Sequence, residues 1–278
     1  MKKSNKIIVY TTMFVATLAF SLSGPMRAYA ATSPTLTGAL TYSALGATDL
    51  TNTGSTTTTG DVGVSSGTSV TGFPPGIAGG NNATHVHSND ASAIAAQANN
   101  LATFGALDQT CDQSFGSVNL VTTFPSGVSP GVYCSTGSFS ITGHLTLVGS
   151  GVWIFKTVST LIAASGSSVT GGDPCNVWWR VASSATLGTT ASLIGNILAL
   201  TSISLDTGAT LNGRALAQTG GVTLDANTIT GPICTTPGLP NTGTKTNDNQ
   251  SILLNLSTLF GITILASISL IIRRRYDV

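Results

Sequence analysis

Three copies of one short pattern between Ser183 and Cys234 constrain this chain more than any other feature. Ser183-Ser-Ala-Thr-Leu-Gly-Thr-Thr-Ala-Ser-Leu-Ile-Gly195, Ser202-Ile-Ser-Leu-Asp-Thr-Gly-Ala-Thr-Leu-Asn-Gly213 and Gly221-Val-Thr-Leu-Asp-Ala-Asn-Thr-Ile-Thr-Gly231 run in parallel and align Leu187, Leu205 and Leu224. Gly195, Gly213 and Gly231 recur every 18 residues. That period suits a three-sided coil with about six residues per side. Within each copy apolar and hydroxyl residues alternate, Ile203 and Leu205 against Ser202 and Ser204, then Ala209 and Leu211 against Thr210 and Asn212. Alternation is strand periodicity with one face inward. A coil that cannot bury its inner face alone must stack on its neighbours, so the repeat predicts a β-solenoid.

The two ends stand outside that pattern. Lys2, Lys3 and Lys6 precede an apolar run from Ile7 to Leu22, and Ala28-Tyr-Ala30 supplies small residues for cleavage after Ala30. Residues 1–30 therefore read as a secretory signal peptide. Near the other end Leu239-Pro240-Asn241-Thr242-Gly243 lies within a linker, 236–251, followed by an apolar stretch, 252–272, and a basic tail, 273–278. This ordered set resembles the cell-wall sorting signal of Gram-positive surface proteins, in which a sortase cuts between Thr and Gly and joins the Thr to peptidoglycan. The resemblance implies a cut between Thr242 and Gly243, a transient membrane anchor and a final place in the cell wall. About 20 apolar residues suffice to span a bilayer, and Arg273, Arg274 and Arg275 would hold the tail on the cytoplasmic side.

Between the two cuts eight aspartates stand against Lys156, Arg180 and Arg214, and the chain contains no glutamate. Nothing basic invites nucleic acid. Cys111, Cys134, Cys175 and Cys234 all fall in the exported part, where disulfides are allowed and three connectivities are open. Cys111 with Cys134 is the nearest pair in sequence. Cys175 with Cys234 requires the Gly171-Gly-Asp-Pro174 loop to bend towards the end of the stack.

Earlier coils show the same writing. Thr56-Thr-Thr-Thr-Gly60-Asp-Val has the corner of Gly195-Asn-Ile, and two more coils end at Gly149 and Gly171. One helical segment interrupts them, about 90–106, capped by Ser88 or Asp90, with Ala91, Ile94, Ala95, Ala98, Leu101 and Ala102 at helical spacing as its expected inner stripe. A single alanine-rich helix needs an apolar bed. The third side of successive coils offers one: Val152-Trp-Ile-Phe155, Val177-Trp-Trp179, Asn196-Ile-Leu-Ala-Leu200 and Ala215-Leu-Ala217 are apolar in consecutive residues, hence apolar on both faces of the sheet.

Catalytic chemistry finds few residues. Asp206 and Asp225 occupy matching places in adjacent coils, but follow Leu at corners where aspartate is a turn former. His85-Val-His87 puts two imidazoles on one side of an extended segment without a third ligand at recognisable spacing, and reads as a solvated loop. His144 reads as an exposed turn residue. No enzyme, cofactor or metal is expected.

Hydroxyl is what the chain has in excess. Three residues before each corner glycine stand Thr57, Thr146, Ser168, Ser192, Thr210 and Thr228; one residue before stand Thr59, Val148, Thr170, Ile194, Asn212 and Thr230. On a solenoid these make two columns of one outer face. A further column, Ser140, Thr160, Thr186, Ser204 and Thr223, lies on the adjoining face. Ser and Thr also suit any wet strand surface.

Thr56 to Gly76, Cys175-Asn-Val-Trp-Trp and Leu187 to Ala217 resemble the large microbial ice-binding (antifreeze) protein family over roughly residues 34–235. The resemblance implies a mainly β chain whose 31–235 domain is a right-handed, three-faced, discontinuous β-solenoid with one long α-helix packed along one face. It implies ice as the partner. The family's contact motifs fall on Thr207-Gly-Ala-Thr210, Ser168-Val-Thr170, Thr57-Thr-Thr59 and Thr228-Ile-Thr230, and fail at Val148 and at Ser192-Leu-Ile194. The alternatives are a surface adhesin or carbohydrate-binding module on the same fold, or a polysaccharide-cleaving enzyme built on Asp206 and Asp225.

Overall fold

Every strand pairing among the described residues is parallel, which follows from stacking coils that all turn the same way. The computed structural model describes residues 30–231 and 233–234. The expected leader up to residue 29, the sorting motif Leu239–Gly243, the apolar stretch 252–272 and the basic tail lie outside the described residues. No helix among the described residues is long and apolar enough to cross a membrane.

Each full coil contributes to three strand faces. The first carries Thr228–Thr230, the opening of Thr210–Ala217, the opening of Ser192–Ala199, Ser168–Gly171 and His144–Leu147. The second is an eight-stranded sheet running from Ser69–Thr71 through Ala185–Leu187 to Val118–Asn119. The third holds Gly131–Ser135, Trp153–Thr157, Val177–Val181 and the closing halves of Ser192–Ala199 and Thr210–Ala217. At the corner between first and third faces Gly195 adopts φ 101°, and an added Cβ would lie 2.6 Å from the Val177 carbonyl oxygen, so only glycine fits.

The sequence order is not the stacking order. Ala44 pairs with Ala215, Thr51 with Thr223 and Thr57 with Thr228, so the first coil of the chain lies against the last. Residues 61–78 stack outside that first coil, with Val62 on Ala44 and Ile77 on Thr57. The helix Ala91–Ala106 follows, about 24 Å long or roughly five strand spacings. Gln113–Phe115 then pairs with Tyr133–Ser135 at the opposite end of the sheet order, and later coils return one by one.

The core is apolar side chains stacked rung on rung. Phe139, Leu161, Ala185, Ile203, Val222 and Leu50 are buried in register, and Tyr133, Phe155 and Trp179 stack with ring centroids 5.4 and 4.3 Å apart. The buried indoles of Trp153 and Trp179 donate to the Val128 and Ile194 carbonyls, 2.9 Å each.

A second apolar cluster joins Ala93, Ala96, Phe104 and Leu107 to Leu45, Val132, Ile154, Trp178, Leu198 and Leu216, the outward residues of the third face. The expected inner stripe of the helix is thereby corrected. Ala93, Ala96, Asn100, Thr103 and Phe104 point inward, while Ile94 and Leu101 are 53% and 62% exposed. Small side chains let the backbone approach the sheet, and Gln97 and Asn100 serve polar partners there: the Gln97 amide donates to the Ala217 and Gln218 carbonyls at 2.9 and 2.8 Å. Asp90 caps the helix by accepting from the Ala93 N–H at 2.9 Å. At the far end the Arg180 Nε donates to the Phe104 carbonyl at 3.0 Å, and Lys156 reaches the Gln109 carbonyl at 2.6 Å, cations where the helix dipole is negative.

Cys111 and Cys134 form a disulfide that ties the segment after the helix to the strand Gly131–Ser135. Cys175 and Cys234 are disulfide-bonded as well.

Candidate functional site

The first face is built from strands whose first and third residues point out while the second is buried. Ile77, Thr57, Thr228, Thr210, Ser192, Ser168 and His144 share one register position on successive strands. Two residues on stand Thr59, Thr230, Asn212, Ile194, Thr170 and Thr146. Thr58, Ile229, Leu211, Leu193, Val169 and Leu145 are buried between the columns. Stacking fixes about 4.8 Å between rungs, and the pleat about 6.7 Å between the two columns. β-Branched Thr adds few χ1 choices, so hydroxyls and methyls are held in a near-rectangular array.

The array corrects one column of the sequence reading. Thr146 pairs with Thr170, not with Ser168, whose partner is His144. Leu147 stands opposite Gly171, and Gly149–Gly151 bends outside the strand, so counting back from Gly149 shifts the register by two residues. Val148 thus falls outside both columns. His144 is exposed as expected, but it begins a strand and bonds its neighbours instead of lying in a turn.

Thr207 lies at the corner leading into the face, exposed, and its hydroxyl donates to the Asp225 carboxylate. Leu205 pairs with Leu224 and Thr210 with Thr228, although the latter coil has one residue fewer between them. Buried Asn227 bridges the difference, its amide donating to the Asp206 and Ala209 carbonyls at 2.8 and 3.1 Å. Asp225 thus works inside a corner.

The second face shows water only the middle residue of most three-residue strands. Its column reads Thr71, Thr51, Thr223, Ser204, Thr186, Ile162, Ser140 and Asn119. Ile162, 47% exposed, occupies the place expected of Thr160, which precedes its strand.

The histidine pair is not a solvated loop. His85 Nδ1 lies 2.6 Å from Asp61 Oδ1, and His87 Nδ1 lies 2.7 Å from Asp90 Oδ2 with its ring 5.5 Å from that of Tyr42. Burial pushes the Tyr42 hydroxyl up to about 12. No group of three or more His, Cys, Asp or Glu side chains among the described residues is arranged to hold a metal ion. Titratable groups near the first face include Asp206 and Asp225 at its corner, His144 at one end and His85, packed against Gly79, at the other. Arg214, buried behind the adjoining corner, donates to the Leu40 carbonyl and the Asn196 amide oxygen at 2.9 and 3.1 Å, and burial pulls it down to about 10.

A sequence model of the ice-binding-like family matches residues 44–230.

The chain belongs to the ice-binding-like family.

It is 40% identical over 81% of its length to an ice-binding protein of Nostoc sp. (strain HG1), spanning 84% of that relative. Among solved structures it is similar to an ice-binding protein from an Antarctic biological consortium, with 37% identity and a TM-score of 0.67 over 74% of this chain and 95% of that one. It is also similar to an ice-binding protein from the Antarctic ascomycete Antarctomyces psychrotrophicus, with 35% identity and a TM-score of 0.65 over 73% and 100%. These structures share its mainly β build of parallel sheets with few helices. Within the family's frame the sequence-predicted residues Thr57, Thr59, Thr170, Ser192, Asn212, Thr228 and Thr230 are exposed, and Thr146, Ser168 and Thr210 half-buried. Ile77 and His144, which bound the array, were missed. The alternation His144-Leu-Thr146-Leu carried the signal for the second of them.

Proposed function

We propose that this protein binds ice through its first face, on a right-handed three-faced β-solenoid with the helix along the third face. The observation that carries the reading is the outward pattern of the first-face strands. They present two outward columns, exposed, buried, exposed in Thr228–Thr230, mostly of hydroxyl residues and interrupted at Ile194 and Asn212, whereas second-face strands such as Ala185–Leu187 present one. A two-dimensional array at fixed spacing orders a layer of water that can merge with a crystal, and the spacing is close to oxygen repeats in ice. Charged side chains would impose their own hydration, and the central rungs Thr57, Thr228, Thr210 and Ser192 carry none. Relatives named as ice-binding proteins support the same reading.

Ice-affinity partition tests it. The purified chain lacking residues 1–30 should concentrate in a slowly grown ice phase, and Thr210→Lys should remain in the liquid. Exclusion of the wild-type protein from ice would leave a surface adhesin or carbohydrate-binding module on this fold as the better reading.

The protein acts, in this proposal, at the cell surface: exported, cut by a sortase after Thr242 and joined to peptidoglycan, after passing through a membrane-held intermediate. The ordered motif, apolar stretch and arginines support this. Mass spectrometry of muramidase-released protein should find Thr242 joined to a peptidoglycan fragment. Recovery of the intact tail through Val278 in membranes alone would refute it.

A further inference from the structure

One end of the first face carries an aromatic side chain where every other rung but the outermost has a small hydroxyl. His144 sits in the column of Thr57, Thr228, Thr210, Ser192 and Ser168, and its backbone pairs with Ser168 in the regular ladder. Its ring is exposed but hydrogen-bonded on both nitrogens. Nδ1 lies 2.6 Å from Ser168 Oγ, and Nε2 lies 3.1 Å from Thr170 Oγ1. Both nitrogens thus engage the two outward hydroxyls of a single neighbouring rung, spanning the buried Val169 between them. An imidazole with one N–H and one lone pair donates a hydrogen bond to one of the hydroxyls and accepts one from the other. Ser168 is half-buried, while Ser192, at the same position one rung on, is exposed.

We propose that His144 sets the limit of the water-ordering surface: its ring takes up the Ser168 and Thr170 hydroxyls, and although Thr170 stays exposed it disrupts the flat contact of that rung with ice, so that the active array runs from Thr57 through Thr228 and Thr210 to Ser192. The other limit is Ile77, which pairs with Thr57 and offers no hydroxyl. This inference rests on the first face being the ice-contacting one. A hydroxyl held against an imidazole keeps capacity for further hydrogen bonds, but the ring blocks the approach of the water layer and breaks the flatness of the face at that point. His144 therefore acts as a positioning residue that weakens adsorption.

The test is a gain of activity, which misfolding does not produce. His144→Thr and His144→Ala are compared with wild type for thermal hysteresis at equal concentration, ice partition and thermal melting. Both variants should show higher hysteresis with the fold retained. Ser168→Ala combined with His144→Thr should cancel the gain of His144→Thr when set against Ser168→Ala alone, a non-additivity that marks direct coupling. In the wild type, Ser168→Ala should also shift the 15N resonance of His144 Nδ1. If His144→Thr fails to fold, His144→Ala decides. Unchanged or lower hysteresis in a folded variant, with wild type still adsorbing, overturns this inference alone. Failure of every variant and of wild type to adsorb overturns the ice-binding reading, and this inference with it.

Discussion

Thr210 and Thr228 occupy the same register position on adjacent parallel strands, with Leu211 and Ile229 paired and buried behind them. The hydroxyl-bearing side chains are thus fixed from below by the core, and altering one need not disturb the other. Asn212 and Thr230 repeat the arrangement two residues on.

Thr210→Lys or Thr210→Tyr should therefore change stability by no more than about 0.5 kcal/mol while strongly reducing thermal hysteresis and ice adsorption. Thr186→Lys, the matched change on the second face, should reduce them much less. If the two variants exchange phenotypes, the second face is the one that meets ice.

The helix offers a paired test of orientation. Ala96 is buried against the third face and Ala98 is exposed. Ala96→Asp should cost about 3 kcal/mol or more by burying an unpaired carboxylate, and Ala98→Asp should stay within about 0.5 kcal/mol. Denaturant melts that rank them the other way round would show that the helix is rotated about its axis.

Glycine substitutions should divide by environment. Gly195→Ala combines an unfavourable positive φ with contact on Val177, and should cost about 2–4 kcal/mol. Gly105 sits in the helix with open space around its missing side chain, so Gly105→Ala should stabilise by about 0.5 kcal/mol. Chemical denaturation of both variants reads the signs directly.

Acid should loosen the helix ends. Hydrogen bonding from the Ala93 N–H, then His87, holds the Asp90 carboxyl below its usual range, and Lys156, then Arg180, holds Asp108 below it. A carboxyl lowered in the folded state contributes fully above the unfolded value, about 3.9, and the contribution disappears as pH falls through the folded value. Both side chains are solvent-exposed, so the slope should be shallow and further reduced by salt. Asp90→Asn should keep the cap but flatten the acid limb of a melting-temperature profile, whereas Asp90→Ala should lose about 1 kcal/mol at neutral pH. A wild-type profile rising in stability below pH 4 would contradict the assignment.

The local text determined a great deal by itself. Alternation at Ile203-Ser-Leu205 and Thr210-Leu-Asn212 predicts strands because side chains of a strand point to opposite sides, and a regular glycine spacing predicts coils because few other residues turn so tight a corner. Asp90 as a cap and the Cys111–Cys134 pair were legible for the same reason, since capping and short-range pairing are local. What tertiary structure alone decided is whatever depends on which distant segment becomes a neighbour. The contact of Thr57 with Thr228 joins the chain's first coil to its last, and no period reveals it because the long helix intervenes. The inner stripe of that helix fell on Ala93, Ala96 and Phe104 instead of Ile94 and Leu101: closeness of backbone to sheet outweighed side-chain hydrophobicity, and the shape of the bed is not written in the helix. Thr146 moved by two residues because register is set by pairing with Ser168-Val-Thr170, not by distance to the next glycine. His144 bonds Ser168 and Thr170 for the same reason, since a side chain's partners are fixed by the strand beside it, 24 residues away in sequence for Ser168.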